Sequence, residues 1–352
     1  MLYKQVAIGA GIAAAALLAT GAVAATRGHA HVAHTVAPPR AAVGHVPPPA
    51  PIVVIVAAKK QAKPSVAPKA QPHPRVHLRA TISLYEHTTS PRVLARQGCR
   101  AARRGVSGVV ILDFGAPAYN GHTYGTYLFS NRFAPNSAIT LGMHGYARGF
   151  VTCLPHGSTQ TINLARGTSN YHPHLPSPYR AGLRWAAATV SLQRLLYRDG
   201  LDRHVVSAAA DDVEPAWDRS FHRTRDFYRG YAASRVGHLL YNYGSLDGGV
   251  EHGVWNAHQA FFVASGMRYS RAIPEIYTET MAREWAALAY VARHRYHRPV
   301  KFAGVMTTHT SANHGMLPRV AHHTLRRYLA ASVGRGPDSY VPPAATNIVS
   351  AS

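Results

Sequence analysis

The sequence predicts a (β/α)8 TIM-like barrel over residues 81–335, preceded by a signal or anchor segment and a disordered linker. Three observations lead there. Eight short runs of apolar and β-branched residues alternate with helix-periodic segments, and the stretch is roughly 255 residues long, the usual size of that fold. Carboxylates stand at the C-terminal ends of four of the runs, where such barrels assemble their sites. An open doubly wound sheet is the competing arrangement, but no glycine-rich phosphate loop follows the first run.

The elements before the barrel come first in the chain. After Met1–Gln5, an uncharged Ala/Gly/Val/Leu-rich run extends from Val6 to Ala25 and closes on Ala22-Val23-Ala24, so residues 1–25 read as a secretory signal. At about 20 residues the run also spans a bilayer, which leaves an uncleaved N-terminal membrane anchor open. Gly9-Ala10-Gly11-Ile12-Ala13-Ala14 imitates a dinucleotide fingerprint, yet no strand precedes it and the first acid of the chain is Glu86. No cofactor is expected. Residues 26–80 hold Pro38-Pro39, Pro47-Pro48-Pro49 and the basic run Lys59–Lys63, a composition that reads as an extended linker because proline removes amide donors and fixes φ. The expected location is therefore secreted, or anchored on the outer face of the cytoplasmic membrane.

Charge narrows the partners. The 352 residues carry 38 Lys and Arg against 15 Asp and Glu, a formal net charge of +23, and residues 1–80 contain no acid at all. A basic exported chain meets wall polymers and other polyanions first, and the linker is suited to touching them. No recognition helix, zinc finger or aromatic-plus-basic strand motif favours specific nucleic acid binding. With 47% hydrophobic residues the remainder can bury a core.

The eight expected strands are Thr81–Tyr85, Gly108–Phe114, Thr159–Leu164, His204–Ala209, His238–Tyr243, Ala260–Ser265, Arg271–Tyr277 and Val300–Met306. Between them, Ser177–Arg198 aligns Trp185, Ala188, Leu192 and Leu195 on one helical face, and Thr280–Tyr296 aligns Met281, Trp285, Leu288 and Ala292. Pro91 and Pro178 stand where helices would begin. Residues 336–352 read as a flexible tail.

The acids are few, so their positions are informative. Asp113 ends Val109–Leu112; Asp211, Asp212 and Glu214 end His204–Ala210; Asp247 follows Tyr241–Ser245; and Glu275 follows Ile273-Pro274. Residues two apart on a strand point the same way, so Asp212 and Glu214 would project together into the barrel mouth. Such a pair can hold one proton and one negative charge, as glycoside cleavage requires. The plainer reading has Asp211 or Asp212 capping the next helix and Glu214 paired with an arginine. Trp217, Tyr241, Tyr243, Trp255 and Tyr277 fall near strand ends, where rings stack on sugars or simply pack.

Four of these runs carry a resemblance. Val110-Ile111-Leu112-Asp113-Phe114-Gly115, Asn163–Asn170, Asp212-Val213-Glu214-Pro215-Ala216-Trp217 and Ile273-Pro274-Glu275-Ile276-Tyr277 resemble an uncharacterised exported actinobacterial family with a glycoside hydrolase-like TIM barrel. The Asp-x-Glu strand end is distantly similar to those of Chalaropsis-type lysozymes and family-eighteen chitinases. The resemblance covers about Pro91 to Thr308. It implies that Glu214 is the general acid and Asp212 its catalytic partner, with Asp113, Glu275, Trp217, Tyr243 and Tyr277 on the substrate side. The chitinase pattern has further acids upstream, where this chain has Ala208, Ala209 and Ala210.

Other chemistries have less behind them. His172-Pro173-His174, His294 with His297, and His322-His323 lack the spacing of a metal helix, so no metal site is expected. No Gly-x-Ser-x-Gly elbow supports a serine hydrolase. Cys99 and Cys153, on two neighbouring outer helices, are expected to form a disulfide in an exported chain. The function that follows is an exported glycoside hydrolase-like protein acting on a cell-wall or other polysaccharide. The alternative is a non-catalytic envelope protein that binds glycans or anionic polymers.

Overall fold

The computed structural model describes residues 79–351 apart from 172–174, 216, 219, 235, 236, 253 and 312. The expected signal or anchor, and all but the end of the expected linker, lie outside the described residues. The linker's last two residues are strand: β1 (Arg79–Ala80) pairs with Ala344 and Ala345. Among the described residues no helix is long and apolar enough to cross a membrane.

The chain then alternates. β2 (Ile82–Tyr85), α1 (Pro91–Arg103) and β3 (Gly108–Asp113) lead into a small antiparallel sheet of β4 (Ala116–Tyr119), β5 (Tyr124–Tyr127) and β6 (Phe133–Pro135). The first half continues with α2 (Asn136–Thr152), β7 (Ile162–Gly167), α3 (Pro178–Arg198), β8 (Val205–Asp211) and α4 (Phe221–Ala233). In the second half come β9 (Leu240–Asn242), α5 (Gly249–His252), α6 (Ala257–Phe261), β10 (Ser270–Ala272) and α7 (Glu279–Tyr296). β11 (Val305–Thr307), α8 (Pro318–Val333) and β12 (Ala344–Ser350) complete it.

Eight parallel strands form the barrel in the order β12-β2-β3-β7-β8-β9-β10, with β11 on the other edge of β12. It is not closed by a full ladder. Between β10 and β11 the seam holds only the isolated parallel bridges Ala272 to Phe302 and Glu275 to Met306. The helices start where expected: Pro91 and Pro178 occupy first turns, and the Ser177 side chain caps α3 by accepting from the Arg180 N–H.

Two expectations are corrected. Ala260–Ser265 is not a strand: it is the end of α6 running into a π-helical turn at Phe262–Gly266. A short apolar run fits a buried strand or a buried helix equally well, and periodicity over so few residues does not separate them. The missing strand is β12, inside the segment read as a flexible tail, so the barrel extends past residue 335. Ala344, Ala345, Thr346 and Ile348 are buried because β12 fills the slot between β2 and β11.

Strand parity divides the core. Val110, Leu112 and Leu164 face outward onto a cluster with Leu94, Ile139, Tyr146 and Phe150 of α1 and α2. The alternate positions Ile111, Ala165, Ala208, Ala210, Tyr241, Tyr243, Ile273, Met306 and Ile348 fill the interior. Small alanines on β7 and β8 leave room for Tyr241 of β9 and for Tyr243 just beyond it. On the outer wall, Cys99 of α1 is bonded to Cys153 at the end of α2 with their Cα atoms 5.0 Å apart. The two helices touch backbone to backbone, since a Cβ on Gly149 would stand 1.9 Å from the Ala95 carbonyl oxygen.

Candidate active site

Continuing the inward parity past the strand ends locates the acids. Asp113 follows Ile111, Asp212 and Glu214 follow Ala208 and Ala210, and Glu275 follows Ile273, so all four lie on the inward register at the C-terminal end of the barrel. Asp212, Glu214 and Glu275 each offer an oxygen, and these lie within 4.8 Å of one another. All three are recessed, with 7%, 8% and 6% of their surfaces exposed.

Each acid is held differently. Glu214 accepts from the side-chain amide of the exposed Asn170 at 2.7 Å through Oε2 and from the Ser245 backbone N–H at 2.9 Å through Oε1. Glu275 accepts a short hydrogen bond from the Tyr277 hydroxyl. Asp212 is anchored through its backbone N–H to the Thr168 carbonyl at 2.9 Å, while its buried Oδ1 has no hydrogen-bond partner. Asp113 accepts from the Gly115 N–H at 2.8 Å. The Tyr243 hydroxyl donates to the Thr168 carbonyl at 2.7 Å, beneath the acids. Gly244 supplies the clearance these groups need: a Cβ there would sit 2.8 Å from Glu214 Cγ and 3.1 Å from Asp212 Oδ1.

Among the described residues no Lys, Arg or His forms an ion pair with Asp212, Glu214 or Glu275. Burial and mutual repulsion therefore dominate. Burial, reinforced by Glu275, Glu214, Asp113 and Asp211, pushes the Asp212 carboxyl well above the usual carboxylate range. Glu275 is also raised well above it, by burial and then by Glu214, against the Tyr277 hydroxyl that lowers it. Burial raises Asp113 to about 7, opposed by the Gly115 N–H and Tyr243. Burial and mutual repulsion thus favour the protonated forms of Asp212 and Glu275.

Asp212 is thus pushed toward its protonated form, while Glu214 accepts from two donors, the Asn170 amide and the Ser245 N–H. Trp217 is not a sugar platform. It is 2% exposed and packs against Phe227, with ring centroids 5.2 Å apart, in the core between α3 and α4. Tyr243 is wholly buried in the barrel interior, whereas Tyr277 is half-buried at the mouth. Asp211 does not cap a helix: α4 begins ten residues later at Phe221. It points outward, where it accepts from the Tyr228 hydroxyl at 2.9 Å and the Asn242 side-chain amide at 3.1 Å.

Three residues at the site were missed. Tyr85 ends β2 on the inward register, half-buried against Phe129 at 5.0 Å, and burial plus the charges of Asp113, Asp212, Glu275 and Glu214 raise its hydroxyl. Asn170 and Ser245 sit in runs that sequence reading singled out for other residues. Motif spacing also found no metal set, because it searched for His and Cys. The carboxylate trio could hold one hard divalent cation through an oxygen from each residue, the chemistry such ions prefer.

No family model matches the chain, and no curated protein matches it. Among solved structures, that of XacCel5A is similar with a TM-score of 0.39 and 9% identity, covering 78% of this chain and 88% of that one. A mandelate racemase/muconate lactonizing enzyme from Labrenzia alexandrii DFL-11 is similar with a TM-score of 0.28 and 14% identity, covering 60% of this chain and 52% of that one. These likenesses carry nothing about the chemistry, which rests on the side chains described above.

Proposed function

We propose that the chain is an exported glycoside hydrolase, distantly akin to the Chalaropsis-type lysozymes, that cleaves a cell-wall or other polysaccharide by carboxylate acid/base chemistry. One observation carries the reading: three recessed carboxylates with oxygens within 4.8 Å of one another at the C-terminal end of the barrel, with no cation paired to them among the described residues. Such a cluster is costly to bury and retains a proton near neutral pH, which is the state an acid catalyst needs.

In this mechanism Glu214 is the group that meets the glycosidic oxygen, because it lies one hydrogen bond beneath the exposed Asn170. A sugar that displaces the Asn170 amide removes a donor from Oε2, and a proton passes from Asp212 to Glu214 and on to the leaving oxygen. Glu275, from the other side of the mouth and supported by Tyr277, is the second carboxylate. The close spacing leaves no room for an attacking water between the two. An ionised Glu275 therefore attacks the anomeric carbon as the protonated leaving oxygen departs, and a water deprotonated by Glu214 then hydrolyses the glycosyl-enzyme ester, with net retention. Tyr85 and Tyr277 are the half-buried rings at the mouth placed to contact the sugar.

The test is release of new reducing ends from peptidoglycan, chitin and α- and β-glucans. Glu214→Gln should lower turnover of whichever substrate is cleaved by roughly 10² to 10⁴ while the thermal melt is preserved. Retained activity in Glu214→Gln with loss in Glu275→Gln would reverse the two roles. The recessed position of the acids favours one second reading, a barrel that binds glycans without cleaving them. That reading wins if no substrate is cleaved between pH 4 and 8.

A further inference from the structure

A large groove lies away from the acids. It lies on the outer wall, between α2, α3 and the β4–β5 hairpin, with a volume of about 1090 Å³. Its lining contains no Asp or Glu. Arg180 and Arg184, one helical turn apart on α3, stand exposed along one side, and both act on the ionisation of the Tyr124 hydroxyl nearby. Tyr119 and Tyr124 pack together on the other side, ring centroids 4.9 Å apart. The first turns of α2 and α3 border the groove and carry no acid, so both helix dipoles add positive potential there.

Behind Asn136 lies a second feature, an arginine that does not itself line the groove. Arg166 of β7 is on the outward parity, 2% exposed, and its guanidinium lies over the Trp185 ring at 4.1 Å. One of its nitrogens donates at 2.6 Å to Asn136 Oδ1, and Asn136 lines the groove. Nε and the other terminal nitrogen have no hydrogen-bond partner, and no carboxylate is paired with this buried cation among the described residues. Burial lowers its pKa to about 9. A guanidinium kept dry and unneutralised is expensive, and the positive potential it adds is directed through Asn136 to the groove.

We propose that this groove is a second binding site, separate from the acid cluster, for an anionic oligosaccharide bearing carboxylate or phosphate groups. Arg180 and Arg184 engage the charged groups, and Tyr119 and Tyr124 flank a sugar ring. The anionic class follows from the groove itself, whose lining holds two exposed arginines and no acid, with the buried Arg166 adding positive potential from behind Asn136. The sugar class rests on the proposed function, supported by the short hydroxyl and amide side chains Asn136, Ser137, Thr140 and Ser191 along the walls.

The full-length protein is titrated by calorimetry with oligogalacturonate as the carboxylate probe, a glycerol phosphate teichoic acid fragment as the phosphate probe, and a neutral cello-oligosaccharide. At least one anionic probe should bind tenfold or more above the neutral one. Arg180→Gln with Arg184→Gln should weaken that binding at least tenfold. Arg96→Gln with Arg103→Gln, which removes equal charge from the exposed face of α1, should change it less than twofold. The assignment fails if the α1 variant loses as much, if the neutral probe binds equally, or if linear polyphosphate or oligothymidylate binds as tightly with the same arginine dependence. Glu214→Gln separates the two readings, because it lowers turnover and leaves this binding in place.

Discussion

The two halves of the barrel are built to different standards. The barrel strands β2, β3, β7 and β8 run four to seven residues in continuous parallel ladders, and α1 and α2 are joined by the Cys99–Cys153 bond and by backbone contact at Gly149. From β9 to β11 each strand has three residues, the intervening helices α5 and α6 are short, and the seam has isolated bridges only. Yet the acid cluster draws on both: Asp113, Asp212 and Glu214 come from the well-laddered half and Glu275 from the other. A site of this kind has one fixed wall and one wall whose position depends on β12, which alone ladders the second half to β2.

The largest effect follows from that dependence. A chain ended at residue 335 loses β12 and with it both neighbours' pairing, so it should show no cooperative thermal transition, monitored by circular dichroism. A normal melt from the shortened chain would mean the second half stands without β12, and the contrast between the halves would be lost.

The next effect probes the mouth. Asp113 and Asp211 are both raised to about 7 in the folded protein, with burial the main cause. The folded state therefore binds more protons than the unfolded one between about pH 4 and 7, so their contribution is fully present below about pH 4 and is lost as pH rises through about 7. The loss for Asp113 is up to about 4 kcal/mol over that window. Denaturant unfolding across this range should show stability falling with pH, and Asp113→Asn should flatten the slope. An unchanged slope in the variant places the proton uptake elsewhere.

Smaller again is the disulfide. Cys99→Ser with Cys153→Ser should cost roughly 2–4 kcal/mol in chemical denaturation, confined to the first half. Smallest is a difference in local opening: backbone amides of β3, β7 and β8 should exchange with deuterium at least about tenfold more slowly than those of β9, β10 and β11. Equal protection would break the comparison directly.

The same contrast governed what could be read from sequence. Val109–Asp113, Ile162–Gly167 and Val205–Asp211 are long enough for their β-branched and small residues to announce strands, and parity alone puts Asp212 and Glu214 on one side. The three-residue strands leave little pattern to read. Phe261–Ala264 looks like a buried strand and is helical, while Ala344–Ser350, after Pro342-Pro343 and with few large apolar residues, looks like a tail. Its burial comes from the slot it fills, a property of the other strands. At the site, the acids were legible because acids are scarce in this chain. Their partners were not: Tyr85, Asn170 and Ser245 reach the carboxylates from other strand ends, and Tyr228 lies 17 residues from the Asp211 it braces.

The position of β12 also sets a clock. Its Thr346 hydroxyl donates to Ser83 across 263 residues of chain, so the strand that pairs with β2 is made long after it. At about 5–20 residues per second of synthesis, β2 waits some tens of seconds with one edge bare. Nucleation on α1, β3 and α2 can begin meanwhile, but closing so long a loop is among the slow steps of folding. Until β12 arrives the chain has no finished barrel to lock. That interval is when anything that handles extended polypeptide has its opportunity to act.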